Sequence, residues 1–205
     1  QVRILMDCPE PMSGNREPYL KYLVEALHGS ASAVEGGTLA LFTNYSDLQH
    51  AYHHLLPRWK KMGRSVYAQG EGHSRSELRA KLIEEGDALL LGAESFWKGF
   101  DAKGPCLSQV IITRLPFENP SHPVMEAKTE ILAEAGKSSF IELTLPSAVT
   151  RFRQGIGRLI RSQTDVGDLL IMDSRILTKR YGSQFLSELP NPNYESLSFS
   201  ELFGE

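Results

Sequence analysis

The stretch Thr38-Leu39-Ala40-Leu41-Phe42-Thr43 is a continuous apolar run, as expected for a strand that is buried on both faces. Leu48, Ala51 and Leu55 follow it at helical spacing, so an amphipathic helix comes directly after the strand. Strands buried on both faces are typical of parallel sheets, because the helical crossovers of such sheets cover each face. This stretch therefore predicts one strand–helix unit of a layered α/β fold.

The same alternation of apolar runs and helical patterns continues along the chain. A capping box, Ser74-x-x-Glu77, opens another helix. The other predicted strands are 65–68, 87–93, 107–115, 140–145 and 168–172, and the other predicted helices are 19–27, 123–135 and 180–189. The pattern predicts a mostly parallel β-sheet with helices on both faces.

Composition limits the class of protein. With 205 residues, 41% hydrophobic and 23% charged, the chain can form one domain with a full core. A net charge of −3 means that binding of a polyanion must depend on local patches. The two cysteines, Cys8 and Cys106, are too few for a disulfide framework and fit a reducing cytoplasm. No apolar run approaches membrane-spanning length, and the start at Gln1 suggests an excised fragment.

Ligands of parallel α/β sheets gather at the carboxyl ends of the strands, which directs attention to three segments. The first is Leu41-Phe42-Thr43-Asn44-Tyr45-Ser46, where hydroxyl and amide side chains come just before a helix N-terminus. Such groups suit a phosphate of a nucleotide or a nucleic-acid strand. An ordinary strand-to-helix turn with Ser46 as the cap explains the segment as well.

The second segment, residues 91–101 (LGAESFWKGFD), follows another predicted strand. Gly99 would let the backbone approach an anion, and Asp101 could accept from a ribose hydroxyl or hold an arginine. Phe96, Trp97 and Phe100 could stack on bases, an interaction worth about 1–3 kcal/mol each. Packing of these aromatic rings in the core is the alternative.

The third segment is Arg151-Phe152-Arg153-Gln154-Gly155-Ile156-Gly157-Arg158-Leu159-Ile160-Arg161. At helical spacing it places an apolar stripe on one face and Gln154, Arg158 and Arg161 on the other. Arginine suits bidentate contacts with phosphate. Gly155 and Gly157 each weaken a helix by about 1 kcal/mol relative to alanine, which suggests close approach of another group. A solvated basic helix face is the competing interpretation.

The chain contains neither a G-x-x-x-x-G-K-[ST] loop nor a strand-end acidic pair suited to magnesium. Arginines that stabilise a transferring phosphoryl group cannot hydrolyse a nucleotide without these parts. We therefore expect half of an active site, inactive by itself. No metal site is predicted within the chain, because His50 and His54 lack a third ligand and more simply form a solvated helix face.

In order and spacing, the three segments resemble the second RecA-like motor domain of superfamily 2 helicases, in particular the DinG/XPD branch with DinG and YoaA. Thr43-Asn44-Tyr45 resembles motif IV, residues 95–101 (SFWKGFD) resemble motif V, and residues 154–162 (QGIGRLIRS) resemble motif VI. The segments 107–112, 115–117 and 173–175 and the pair Tyr181-Gly182 match as flanks. Lys98 stands where motif V commonly has glutamate, and Asn44 where motif IV commonly has serine.

The resemblance implies a RecA-like three-layer fold and a role for each matching residue. Arg158 and Arg161 would reach the γ-phosphate of ATP as arginine fingers, and Gln154 would sense it. The residues implied for ATP binding and its coupling to DNA are Gly99, Asp101 and Gly157. The residues implied for DNA binding are Thr43, Asn44, Ser95 and Trp97.

The resemblance also implies the surroundings of the domain. Residues 1–190 would form the C-terminal helicase domain, with 1–35 leading into it, and 191–205 would be a loosely structured tail. ATP, Mg²⁺, single-stranded DNA and the protein's own N-terminal RecA-like domain would be the partners, with Mg²⁺ ligands and, in many members, an iron–sulfur cluster in that other half. The protein would be a cytoplasmic, nucleoid-associated bacterial enzyme with 5′ to 3′ polarity and no membrane contact. A non-catalytic nucleic-acid- or nucleotide-binding module and the motor half of a DinG-like nuclease remain as alternatives.

Overall fold

The computed structural model describes residues 1–10, 15–97, 106–118, 123–159 and 166–204. Within these ranges seven strands form one sheet in the order β3-β4-β2-β5-β6-β1-β7, and all of their pairings are parallel. The strands are β1 (Val2–Leu5), β2 (Thr38–Leu41), β3 (Val66–Ala68), β4 (Leu89–Gly92), β5 (Gln109–Ile112), β6 (Asp168–Ile171) and β7 (Glu195–Leu197).

All but the last of the helices lie between successive strands. They are α1 (Glu17–Ser32), α2 (Tyr45–Lys61), α3 (Arg75–Glu85), α4 (Glu94–Trp97), α5 (Pro123–Glu134), α6 (Leu145–Ile156), α7 (Arg175–Thr178), α8 (Gly182–Leu186) and α9 (Phe199–Phe203). The predicted capping box is confirmed at the start of α3, where Ser74 and Glu77 exchange both bonds. The helix predicted over 180–189 is present as the shorter α8, and the short helix α7 before it was not predicted.

The core lies on both faces of the sheet. Alternate strand residues such as Leu39 and Leu41 pack with α3, α4, α6 and α8, while Ala40 and Phe42 pack with α1 and α2. Two-sided burial explains why the strands read as unbroken apolar runs rather than alternating ones. The three-layer α/β architecture predicted from the sequence is confirmed.

Two local predictions were wrong. Residues Phe140–Thr144 form a turn of π-helix that leads into α6, not a strand, although the segment FIELT has β-forming residues. The segment leads directly into helix α6, and this context outweighs the β-forming preference of its residues. The segment 191–205 was expected to be loosely structured, yet it contains β7, which pairs with β1, and α9, which is opened by a capping box at Ser198.

Candidate functional site

The first two predicted segments meet at one edge of the sheet. Strands β2 and β4 are neighbours, with Leu41 paired to Gly92, so their carboxyl ends lie side by side. Thr43 and Asn44 follow β2, and Ser95 follows β4; all three are half-buried. The hydroxyl groups of Thr43 and Ser95 make no hydrogen bond within the described part of the chain. Two hydroxyl groups without a described partner therefore lie at the carboxyl ends of the strands, where ligands of parallel sheets bind.

Asn44, not Ser46, is the N-cap of α2. Its backbone is extended, with φ −147° and ψ 154°, and its side-chain oxygen accepts from the backbone N–H of Asp47 at 2.8 Å. The prediction of Ser46 as the cap was wrong because the helix begins at Tyr45, two residues earlier than a cap at Ser46 would place it. Asn44 thus combines a structural role with its position at the strand end.

Trp97 is a core residue. Its side chain is only 1% exposed, and its indole N–H donates to the carbonyl oxygen of Phe42 at 2.7 Å. A base cannot stack on a ring that is buried in this way, so the structure favours the alternative of core packing for the Trp97 ring. The short helix α4 directs Phe96 and Trp97 inward, as the alternative of core packing required.

Trp97 is also the group that requires a glycine at position 155. A Cβ atom on Gly155 would lie 2.8 Å from Cζ3 and 2.9 Å from Cε3 of Trp97, and 3.1 Å from Cδ1 of Leu41. The close approach suggested by the sequence is therefore real, but the approaching group is the Trp97 ring and not a ligand. At Gly157 the nearest described atoms to a Cβ would be the carbonyl oxygens of Arg153 and Gln154, at 3.4 and 3.6 Å.

The arginine segment is not one continuous helix. Helix α6 ends at Ile156. Arg158 lies on the turn that follows, where its backbone N–H donates to the carbonyl oxygen of Gly155 at 3.1 Å. The prediction that Arg158 continues the helical face of Gln154 was wrong, because the helix ends at Ile156 with Gly157 as its C-cap. Gln154 is exposed on the last turn of α6, and the half-buried Arg158 donates from Nη2 to the carbonyl oxygen of Trp97 at 3.2 Å.

These contacts join the three segments in a line. Phe42 at the end of β2 accepts from Trp97 on α4, and Trp97 in turn accepts from Arg158 beyond α6. The predicted residues Gly99, Asp101 and Arg161 lie outside the described residues.

An ionic cluster beside Asn44 was not predicted. The carboxylate of Asp47, 1% exposed, pairs with Arg16 and lies 3.0 Å from a guanidinium nitrogen of Arg114, while Asn44 donates to it at 2.9 Å. Arg114 also stacks over the ring of Tyr19, 4.5 Å from its centroid. The strand-end rule, applied to β5, could have predicted Arg114 as a site residue. No sequence signal predicted the burial of Asp47, because an acid in the first turn of a helix is usually exposed.

A second cluster follows β6. Asp173 is buried; it accepts from the backbone N–H of Leu115 at 2.8 Å and from two side-chain nitrogens of Arg175 at 2.9 and 2.6 Å. Burial acts to lower the pKa of Arg175, but its hydrogen bonds and charge pairing with Asp173 outweigh that effect and raise the pKa. Burial, and then the charge of Asp173, raises the pKa of the Cys8 thiol, which disfavours the reactive thiolate form. The cluster holds the ends of β5 and β6 together.

Within the described ranges no group of three His, Cys, Asp or Glu side chains is arranged to hold a metal ion. In the same part of the chain, no helix has the length and apolar character needed to cross a membrane.

Comparison with known proteins agrees with this geometry. The helicase C-terminal domain family matches residues 27–192. The chain is 41% identical over 165 residues to a Bacillus subtilis (strain 168) protein named 3′-5′ exonuclease DinG, which corresponds to 80% of this chain and 18% of that protein. It is 36% identical over 177 residues to the ATP-dependent DNA helicase YoaA of Haemophilus influenzae, 86% of this chain and 27% of that protein.

A solved structure of XPD in its apo form superposes with a TM-score of 0.76 at 17% sequence identity, covering 96% of this chain and 39% of that one. This likeness confirms the RecA-like fold expected from the sequence. The chain spans only 18% and 27% of the length of the two relatives.

Proposed function

Because this chain belongs to the helicase C-terminal domain family, we propose that it is the second motor domain of an ATP-dependent DNA helicase of the DinG type. In this proposal ATP binds between this domain and an N-terminal RecA-like domain that carries the phosphate-binding loop. We place the body of the domain at residues 1–190 and count 191–204 with it, since β7 extends the sheet beside β1.

The observation that carries the proposal is the line of contacts from Arg158 through Trp97 to Phe42. A motor must connect its nucleotide site to its DNA site, and this line joins the arginine segment to the residue that precedes Thr43. Both connecting hydrogen bonds end on backbone carbonyl oxygens. A shift of Arg158 would therefore act on α4 and the end of β2 as rigid elements.

On the nucleotide side, Arg158 and Arg161 contact the γ-phosphate and Gln154 senses it. The bond from Arg158 to Trp97 is between a charged donor and a neutral carbonyl. A phosphate oxygen is the stronger acceptor for a guanidinium group, so nucleotide arrival would draw Arg158 from the carbonyl towards the ligand. Gly157 would allow the turn to move, while Gly99 and Asp101 would relay the change to DNA.

On the DNA side, the hydroxyl groups of Thr43 and Ser95 donate to phosphates of a single strand, together with the N-terminus of α2. The amide of Asn44 is already bonded to Asp47 through both its oxygen and its nitrogen, so its contribution is one remaining amide hydrogen. These groups recognise the backbone and not the bases, as a translocating motor requires.

The other expectations for the whole protein belong to the same proposal. Mg²⁺, which would neutralise charge on the transferred phosphoryl group, takes its protein ligands from the N-terminal half, and an iron–sulfur cluster would lie there as well. We expect 5′ to 3′ polarity on single-stranded DNA and a cytoplasmic, nucleoid-associated bacterial enzyme, in line with the bacterial relatives.

The test is ATP turnover by the full-length protein with and without single-stranded DNA, comparing the wild type with Arg161→Ala and Arg158→Ala. Loss of an arginine finger should lower the DNA-stimulated rate by about three orders of magnitude with little change in KM for ATP. Arg153→Ala is the matched control, because this arginine is 65% exposed on α6 and its nearest acid, Glu188, is 3.8 Å away.

Two outcomes would refute the assignment. If both variants turned over ATP within about tenfold of the wild type, neither arginine would be a finger. A wild type without DNA stimulation would leave a non-catalytic binding module, with the arginines as a docking surface. Rapid ATP turnover by the 205-residue chain alone would contradict the shared site.

A second candidate function is favoured by the Bacillus subtilis relative, whose name describes it as an exonuclease. In that case this domain would be the motor half of a DinG-like nuclease. Degradation of 3′-labelled single-stranded DNA by the full-length protein distinguishes the two, and Arg161→Ala separates nuclease activity from motor activity.

A further inference from the structure

Within the described residues the sheet ends in two edge strands. On one side β7 pairs with β1 and is the last strand. On the other side β3 is the last strand of the described sheet. Ser65 and Gln69 bond to β4, since Leu89 donates to Ser65 and Gln69 donates to Leu91. By the alternation of a parallel ladder, the backbone N–H and C=O of Val66 therefore point away from the sheet.

A groove of about 290 Å³ runs along this open edge. One wall is a stripe of α2 at helical spacing, formed by Tyr52, Leu56 and Lys60, and the floor is the strand itself. Leu56 is 39% exposed, although it faces this groove. A strand of about three residues, roughly 10 Å long, would match the length of β3.

The residues that line the groove predict how the side chains of a bound strand would alternate. Val66 is buried on the α2 face of the sheet, whereas Tyr67 packs on the opposite face. An added strand would place every second side chain against Tyr52 and Leu56 and the others beside Tyr67. An extended peptide with β-branched residues meets both requirements, because such residues pack well on a pleated surface.

The charge at one end of the groove selects an acidic partner. Arg64 is already bound to Asp87 and stacked over Trp59, 4.6 Å from the ring centroid. Lys60 and the adjacent Lys61 are exposed and have no acidic partner within the described part of the chain. Glu71 lines the groove beyond the carboxyl end of β3, so the uncompensated positive charge lies near the beginning of the strand.

We propose that the β3 edge, with the groove between it and α2, binds an extended segment of a separate protein by strand addition. The segment would carry β-branched residues and an acidic pair that lies beside Lys60 and Lys61. Backbone bonds to Val66 would supply affinity, and the α2 stripe and the lysines would supply specificity. The residues that line the groove are not among those proposed for ATP or DNA. Its Glu71 end lies near the strand-end site, since Gln69 bonds to Tyr45 and Ala93.

The test is fluorescence anisotropy with the full-length protein and two labelled seven-residue peptides of alternating valine and threonine. One begins with an Asp-Glu pair and the other ends with it, so the one that binds reports the strand direction. We expect Leu56→Glu to weaken binding at least tenfold. Ile83→Glu, at a similarly exposed apolar residue on α3 (42%), should leave binding unchanged.

A charge exchange tests the acidic end. The Lys60→Glu/Lys61→Glu variant should lose the acidic peptide and bind a version in which two lysines replace the acidic pair. Hydrogen–deuterium exchange should show slower exchange of the backbone amides of residues 64–70 when the peptide is bound.

Three outcomes would overturn the proposal. The first is that neither peptide binds, or that binding survives Leu56→Glu. The second is that an oligothymidine displaces the peptide, which would make the groove a nucleic-acid site. The third is sedimentation showing that the protein self-associates through this edge and that Leu56→Glu abolishes the association, which would make the partner a second copy.

Discussion

The packing of Gly155 against Trp97 gives the most direct test of how the site is built. In Gly155→Ala the new methyl group would lie 2.8 and 2.9 Å from two ring carbons of Trp97 and 3.1 Å from Leu41. The ring cannot simply retreat, because it is buried and its N–H is held by the carbonyl oxygen of Phe42 at 2.7 Å. The substitution therefore forces either overpacking or loss of that hydrogen bond.

The magnitude follows from opposing terms. Overpacking a core costs about 1–3 kcal/mol, and leaving the buried carbonyl of Phe42 unsatisfied costs a similar amount, about 1–3 kcal/mol. In the opposite direction, alanine stabilises the helix by about 1 kcal/mol relative to glycine. Since this gain offsets part of either cost, we expect the free energy of unfolding to fall by about 1–2 kcal/mol, which for a chain of this size lowers Tm by about 2–8 °C.

The assay is urea and thermal unfolding monitored by circular dichroism, with Gly157→Ala as the matched control for stability. At Gly157 the nearest atoms to a new Cβ are 3.4 and 3.6 Å away and φ is −63°, so we expect stability within about 0.5 kcal/mol of the wild type. In a Trp97→Phe background the smaller ring should reduce the cost of Gly155→Ala, giving a coupling energy of about 1 kcal/mol or more. If Gly155→Ala were as stable as the wild type, or additive with Trp97→Phe, the packing argument would be refuted.

Replacing Asp47 by alanine leaves two guanidinium groups without their shared anion, so we expect the free energy of unfolding to fall by about 2–4 kcal/mol. Asp87→Ala, at an exposed pair, should cost about 0–1 kcal/mol; equal losses in urea denaturation would contradict the importance of the buried cluster. Hydrogen bonds at the α3 cap hold the pKa of Glu77 below its ordinary value of 4.5, so the stability it contributes is present above that value and is lost as the pH falls through the lowered pKa. Between about pH 6 and about pH 3, Tm should fall in the wild type and fall less in Glu77→Gln. Identical dependence of Tm on pH in the two proteins would refute this role of Glu77. Trp59 and Trp97 are both buried, so acrylamide should quench their emission weakly and single-stranded DNA should not quench it; strong quenching by DNA would show that a ring reaches the bases.

Local sequence patterns were sufficient to predict features that depend only on residues close together in the chain. The capping box at Ser74 and Glu77 was correct because both partners lie within one turn of helix. The buried strands were recognisable because two covered faces leave no place for polar alternation, as in Thr38–Leu41. The strand-end rule also selected Thr43 and Ser95, which β2 and β4 bring to the same edge.

Other features depended on partners distant in sequence. Nothing local distinguishes an aromatic residue that stacks on DNA from one that packs in the core, and Trp97 is buried because α6 and β2 close around it. Asp47 is an ordinary first-turn acid by sequence, yet Arg16 and Arg114 converge on it from other elements.

What the sequence by itself determined is therefore the alternation of strands and helices, the parallel sheet and the family to which the chain belongs. These properties depend on periodicity and on short runs of residues that the chain carries in order. The tertiary structure alone decided where α6 stops, which glycine is sterically required and which charges are buried. Those outcomes depend on contacts such as Trp97 with Gly155, two residues that are far apart in the sequence and lie on different helices, α4 and α6.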